Sequence, residues 1–297
     1  MDKKKAMITG ASRGIGKGIA FSLAKDGCDL ALSYYDGGTD SYALEVKREI
    51  ERTFHCRCEI FESDFQREGE AKKFARNAVR ALGGVDILVN NGCNPIHGGS
   101  VLDIKEKELD GILTSFLYSN VLITREAARV MVQNKVRGNI INITSGRAVA
   151  VLPNAGLYGG MKAAITQMSR SFALDLAPYG IRVNCIAPGY IKVRTKEEMA
   201  AQGISAEEIR FRENLEKQVP LYGRAGSPED IGNAVSWLAS SKADYVTGSV
   251  VSVDGGFFLP GQREDMPFEG CEDLGWTYFK RKTGDEWPRI ASRRGAL

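Results

Sequence analysis

The chain has 297 residues, of which 43% are hydrophobic and 26% charged, with a formal net charge of +3. That balance is ordinary for a folded globular protein and too weakly basic to call for nucleic acid. No apolar run reaches the roughly 20 residues of a membrane helix, and the N-terminal Met-Asp-Lys-Lys-Lys-Ala-Met lacks the apolar core of a signal peptide, so the expectation is a cytoplasmic protein with no membrane partner.

Six cysteines occur without a Cys-x-x-Cys pair, which suits idle thiols in a reducing compartment. With only His55 and His97 available, no metal site is expected, and a Ser-His-Asp triad is a poorer reading than the one developed below.

In chain order, residues 5–9 read as a short strand. Gly10-Ala-Ser-Arg-Gly14-Ile-Gly16 follows at once, and residues 15–24 have helical periodicity. Strand, glycine-rich turn and helix form the context of a dinucleotide-binding turn, because the backbone can approach a pyrophosphate at a helix N-terminus. The spacing here is G-x-x-x-G-x-G. Gly27 ends the helix, and residues 29–34 form strand two. An acid at that strand's end would select NAD, and a nearby arginine NADP. The chain offers Tyr34 and Tyr35 there, Asp36 slightly late, and Arg13 in the turn, which leans to NADP.

Residues 41–54 read as a charged helix and 57–62 as strand three, with Asp64 and Phe65 just beyond. Asp64 either bonds an adenine amino group or caps the helix read at 67–82. Residues 86–90 are strand four, followed by Asn91-Gly92-Cys93, small residues beside which a cofactor ring can lie. His97 falls in the next loop, where a lone histidine is more often solvent-exposed than catalytic. Residues 105–134 carry one or two helices.

The β-branched run Ile140, Ile141 and Ile143 marks a buried strand with Ser145 just past its end. Tyr158 and Lys162 then stand four apart at the start of a long apolar-periodic helix, hence on one face. A free phenol, with a pKa of about 10, is a poor base at neutral pH, and a cation one turn away favours the phenolate. Such a phenol exchanges a proton with a carbonyl or alcohol oxygen while a serine hydroxyl bonds the same oxygen. The trio has no hydride source and therefore needs a cofactor.

Residues 182–186 are strand six, ended by Pro188-Gly189. The polar stretch 192–217 suits either a wall over the substrate or a solvated helix pair. Its Lys192, Arg194, Lys196, Arg210 and Arg212 either receive an anionic carrier-linked group or are solvated. Ser227 and Pro228 open a helix to 238, and residues 249–253 are a last strand before Asp254-Gly-Gly. Alternating strands and helices predict an α/β, doubly wound, mostly parallel sheet in a single domain spanning 1–258. Residues 259–297 form a C-terminal extension whose Trp276, Tyr278, Phe279 and Trp287 argue for docking on the core or on a neighbouring subunit.

Together, Thr9-Gly-Ala-Ser-Arg-Gly-Ile-Gly16, Asp64, Asn90-Asn-Gly92, Ser145, Tyr158-x-x-x-Lys162, Pro188-Gly189 and Gly223-Arg-Ala-Gly-Ser-Pro-Glu-Asp230 before Asp254-Gly-Gly256 resemble the short-chain dehydrogenase/reductase family. Within it the chain is similar to the 3-oxoacyl-carrier-protein reductase type. The resemblance implies a Rossmann-like fold and hydride transfer between NADP(H), or NAD(H), and a small carbonyl or secondary alcohol substrate. Tyr158 would be the proton donor or acceptor, Ser145 the partner of the carbonyl oxygen, and Lys162 the cation that favours the phenolate and holds the nicotinamide ribose. Gly10, Ser12, Arg13, Gly14, Ile15 and Gly16 would cradle the pyrophosphate and adenosine end, and Asp64 and Phe65 would flank adenine. Asn91, Gly92, Pro188, Gly189 and Ile191 would line the ribose and nicotinamide side. A homotetramer or homodimer, joined partly through the tyrosine-bearing helix, is also implied.

Three positions depart from the family pattern. Gly92-Cys93 stands where Ala-Gly is usual, Phe116 where a helix asparagine supports a proton relay, and Val193 or Thr195 where a threonine follows Pro-Gly. Phe116 cannot hydrogen-bond a relay water, which motivates the alternative of a cofactor-holding subunit or sensor with little turnover.

Overall fold

The structure is a computed structural model, described here for residues 3–35, 41–92, 101–152, 154–221 and 223–259. Readings that fall on Asp36, Cys93, His97 and the 260–297 part of the extension lie outside the described residues.

Short runs of aliphatic residues pair side by side into one parallel sheet. Among the described residues its strands are β1 (Lys5–Ile8), β2 (Asp29–Tyr34), β3 (Cys58–Glu62), β4 (Ile87–Asn90), β5 (Asn139–Ile143), β6 (Arg182–Pro188) and β7 (Val250–Val253), in the order β3-β2-β1-β4-β5-β6-β7. The helices between them are α1 (Gly14–Lys25), α2 (Ser41–Phe54), α3 (Glu70–Leu82), α4 (Glu106–Leu113), α5 (Ser119–Gln133), α6 (Gly156–Leu176), α7 (Lys196–Ala201), α8 (Ala206–Lys217) and α9 (Pro228–Ala239).

The central strands β1, β4, β5 and β6 are buried along nearly their whole length because both sheet faces are covered. Successive side chains point to opposite faces. Ile8, Val89 and Ile141 therefore join Ile19 and Leu23 of α1 and Ile231 and Val235 of α9. Met7, Leu88 and Ile140 join Phe74 of α3, Ile123 and Met131 of α5, and Ala173 of α6 on the other side. The chain leaves β1 toward β2 and β3, then crosses to β4 on the opposite side of β1. That reversal opens a crevice at the strands' C-terminal ends, between β1 and β4.

The boundaries differ from the sequence reading in two informative places. α3 starts at Glu70 rather than 67, because Gly69 has φ +86° and interrupts helical geometry. The 105–134 segment is two helices joined by a π-turn, Thr114–Tyr118, in which the Ser119 N–H reaches back five residues to the Thr114 carbonyl. The expected start of α9 is present in full: the Ser227 hydroxyl accepts from the Asp230 N–H at 3.2 Å, and Asp230 accepts from the Ser227 N–H at 2.7 Å. Burial works against charge on Asp230, yet hydrogen bonds from Arg224 and Ser227 hold its pKa below the usual carboxylate value.

The thiols of Cys28, Cys56, Cys58 and Cys185 are free and buried. Burial pushes Cys28 and Cys58 up to about 12, as suits unreactive core thiols.

Beneath the strand ends lies a buried polar hub. Asn142 of β5 accepts from Asn90 of β4 at 2.9 Å and from Asn120 of α5 at 3.1 Å, and it donates to Ser169 of α6 at 2.8 Å. One side chain thus ties two strands to two helices. Asn142→Ala should strip a partner from two buried amides and cost about 3 kcal/mol, read as a fall of roughly 6–10 °C in Tm; an unchanged melting curve would show the hub contributes nothing to stability.

Candidate active site

At the crevice, the loops after β1 and β4 are tied together. The Thr9 hydroxyl accepts from the Asn91 N–H at 2.9 Å and the Gly92 N–H at 2.8 Å. The Asn91 amide donates to the Thr9 and Gly10 carbonyls at 3.0 Å each. The Gly10 N–H donates to the Ser33 hydroxyl at 3.1 Å, which links β2 into the same cluster. Thr9 and Ser33 carry no role in the sequence reading. Their only signal is a buried hydroxyl closing an otherwise apolar strand.

The glycine turn packs with no room to spare. Gly10 has φ +64°, and a Cβ there would lie 2.6 Å from the Gly92 Cα. A Cβ on Gly16 would lie 2.0 Å from the Gly10 carbonyl oxygen. α1 opens directly on this turn with no side-chain cap and no acid in its first turn. Its leading N–H groups and dipole therefore face outward for an anion. This cradle fits a dinucleotide pyrophosphate.

Ser12 is buried, while Arg13 is exposed with its guanidinium 6.0 Å from the centre of the Tyr42 ring. The turn continues through Ile15, which packs on the core. Val193 covers Gly14, its Cγ1 lying 3.3 Å from where a Cβ would stand. A cleft of about 740 Å³ runs along the outer side of the turn, between Arg13, Lys17, Tyr42 and Arg194.

Other expected cofactor positions are distributed unevenly. Tyr34 is buried at the end of β2. The Asp64 carboxylate is engaged locally, accepting from the Gln66 N–H at 3.1 Å and pairing with Arg67 at 3.2 Å. It caps its own turn and does not start α3, which corrects the helix-cap reading. The Phe65 ring does not line the crevice: it is packed in the core edge-on to Phe74, so only its backbone can face a ligand. Pro188 ends β6, the Gly189 N–H bonds the Val253 carbonyl at 3.1 Å, and Ile191 bridges to Gly226. Thr195 is committed as the N-cap of α7 in a capping box with Glu198.

The Ser145, Tyr158 and Lys162 region sits beyond β5. Ser145 is buried, and its hydroxyl oxygen accepts from the Arg147 N–H at 3.1 Å, so its own proton remains to be donated. The loop folds onto the start of α6, where a Cβ on Gly159 would lie 2.8 Å from the Arg147 carbonyl oxygen. Lys162 is 4% exposed, and its Nζ donates to the Ile143 carbonyl at 2.8 Å. The same Nζ lies 5.8 Å from the centre of the Tyr158 ring and 5.3 Å from that of Phe116. The helical spacing read from the sequence thus sets ammonium and phenol ring side by side. The loop's far side is walled by Phe258, which lies over Gly146 and 5.0 Å beneath the Arg147 guanidinium; Phe257 and Tyr190 continue that wall.

The basic residues after β6 are largely neutralised. Lys192 pairs with Glu216 at 3.0 Å, Lys196 with Glu213, and Arg212 with Glu208 at 2.6 Å.

A parallel sheet with a phosphate-fitting glycine turn and a tyrosine–lysine pair beyond the strand ends defines a nucleotide-dependent oxidoreductase of the Rossmann-like class. The sequence model described as enoyl-(acyl carrier protein) reductase matches residues 10–258. The chain belongs to the short-chain dehydrogenase/reductase family and is an NAD(P)-dependent enzyme of the 3-oxoacyl-carrier-protein reductase-like type. The 3-oxoacyl-[acyl-carrier-protein] reductase FabG of Staphylococcus aureus is 31% identical over 258 residues, 86% of this chain and 98% of that protein. Among solved structures, acetoin dehydrogenase YohF from Salmonella typhimurium is 30% identical with a TM-score of 0.77, covering 88% of this chain and 98% of its own. Acetoin dehydrogenase from Enterobacter cloacae is 31% identical with a TM-score of 0.76, with the same coverage. Among the described residues no helix is long and apolar enough to cross a membrane.

Gly16→Ala should force the turn apart. Dinucleotide affinity, measured by fluorescence titration with NADPH, should fall at least about 100-fold, and stability should fall by about 1–3 kcal/mol. Retained affinity would mean that the cofactor does not use this turn.

Proposed function

We propose that the chain reduces a small, uncharged carbonyl compound with NADP(H), or oxidises the matching secondary alcohol, with Tyr158 as acid and base. The observation that carries this reading is the buried Lys162 ammonium beside the Tyr158 ring, next to the loop that presents Ser145. When bound, the nicotinamide supplies the hydride. In the reductive direction the Tyr158 hydroxyl gives its proton to the carbonyl oxygen. Ser145 donates a hydrogen bond to the same oxygen and steadies the charge that develops there. Lys162, held by the Ile143 carbonyl, balances negative charge left on the phenol. The glycine turn, Asn91 and Gly92, and the Pro188–Gly189–Ile191 segment would hold the dinucleotide.

The lean to NADP rests on Arg13, which is exposed at the turn, and on Tyr34 and Tyr35 holding the end of β2, with Asp36 placed later in the sequence. The lean to a small neutral substrate rests on the polar 192–217 segment, which we read as a lid. Of Lys192, Arg194, Lys196, Arg210 and Arg212, three already face carboxylates, which leaves little positive field for a carrier-linked anion. The wall of Tyr190, Phe257 and Phe258 is aromatic.

A panel of small ketones and diketones, acetoin and a 3-oxoacyl thioester, assayed with NADPH and NADH at the nicotinamide absorbance, tests the activity. The small carbonyls should give the higher kcat/KM. Clear preference for the thioester would overturn the substrate reading. Tyr158→Phe should lose about 10²–10⁴-fold in kcat with cofactor Kd within about twofold, because only the proton transfer is removed. Arg13→Ala should raise the KM for NADPH about 10–100-fold, the loss of one charge-assisted contact, and leave that for NADH unchanged; equal effects on both cofactors would refute the NADP lean.

A further inference from the structure

We propose that Phe116 is a positioning residue that clamps Tyr158 and Lys162 together. This rests on the reading of Tyr158 as the acid and base. Phe116 is 3% exposed and sits in the π-turn between α4 and α5. The wider turn breaks the α-helical period, so neighbouring side chains leave the usual stripe. Its ring meets Tyr158 edge to face, with centroids 6.2 Å apart and planes at 87°. Its face also receives the Lys162 ammonium, whose Nζ stands nearer to this ring than to that of Tyr158. One side chain therefore touches both members of the pair.

Two consequences follow from the chemistry of the ring. Edge-to-face packing resists tilting of the phenol, and a tilt of roughly 10° moves the hydroxyl oxygen by about 1 Å, a displacement that costs about 100-fold in rate. The π face attracts the ammonium without supplying a hydrogen-bond acceptor. The Ile143 carbonyl then stays the anchor of Nζ, and the charge stays beside the phenol instead of following a competing polar group. A leucine would keep the site apolar but supply neither the edge contact nor the π face.

The test uses the full chain, NADPH and the best carbonyl from the panel above, with Phe116→Leu, Phe116→Tyr and Tyr158→Phe prepared in parallel. Phe116→Leu should lower kcat by about 10–100-fold, while the substrate KM and the NADPH Kd change by less than about threefold. Phe116→Tyr, which keeps the ring, should recover most of the lost turnover. If Phe116→Leu does not show a cooperative melting transition, Phe116→Met takes its place with the same expectation. Unchanged kcat in the ring-less variant overturns the clamp, as does an equal loss in Phe116→Tyr, or a failure of both ring-less variants to fold. A Tyr158→Phe variant with full turnover would instead defeat the acid–base reading itself, whatever the Phe116 variants do.

Discussion

A buried ammonium with no carboxylate beside it is the constraint around which this site is arranged. Lys162 is almost wholly removed from water, and among the described residues no acid pairs with it. An isolated charge in such a place is costly unless polar or polarisable groups surround it. Here one carbonyl oxygen and two aromatic faces do so. Among the described residues, the arrangement leaves the positive field undirected by any fixed anion. It is therefore available to negative charge that forms transiently on a neighbouring oxygen, where a preorganised cation is most effective.

The sheet supplies the rigidity that such a placement needs. Ile143, the residue that anchors Nζ, is the last of β5, a strand paired on both sides. One residue earlier, Asn142 binds β4, α5 and α6 in a single hydrogen-bonded hub. α6 carries Tyr158 and Lys162, and the π-turn carrying Phe116 leads directly into α5, so both helices are fixed to the strand that presents the Ile143 carbonyl. The only uncompensated atom in that hub is the Asn90 side-chain oxygen, buried without a partner among the described residues. Its amide is turned to serve Asn142 and Thr124, which leaves the oxygen unpaired, so the hub keeps its geometry at some local cost.

Much of this was legible in the residues themselves. β2 and α2 have the bounds read from the sequence, and the Ser227-Pro228 cap of α9 follows from its residue types alone. The proximity of Tyr158 and Lys162 required only the helical repeat. What escaped the sequence was long-range or irregular. The π-turn shifts the register by one residue, which a pattern of apolar positions absorbs without trace. Phe116 reads in the sequence as a loss, because it cannot hydrogen-bond, yet in three dimensions its ring faces are its contribution. Phe65 and Asp64 look alike as residues past a strand end, but core packing against Phe74 claims the first and the Arg67 turn the second. Asp64 finds its partners two and three residues on, in a turn where the sequence reading already begins the helix, and Phe65 finds its partner on α3.

The lid shows the same principle for charge. In sequence, 192–217 offers six cations, and counting them alone suggests an anion-binding surface. In space the acids of α8 lie opposite: Glu213 reaches Lys196 of α7, and Glu216 reaches Lys192 in the approach to it. Exposed pairs of this kind add little stability, and α8 contributes no buried side chain. The helix pair is thus held to the body by few apolar contacts, the condition under which a segment opens at low cost. With Glu197, Glu198, Glu207, Glu208, Glu213 and Glu216 in the same stretch as its cations, the segment carries little net field. The contacts on the far side of the Ser145 loop are aromatic instead: Arg147 lies over Phe258, which meets Phe257 and through it Tyr190.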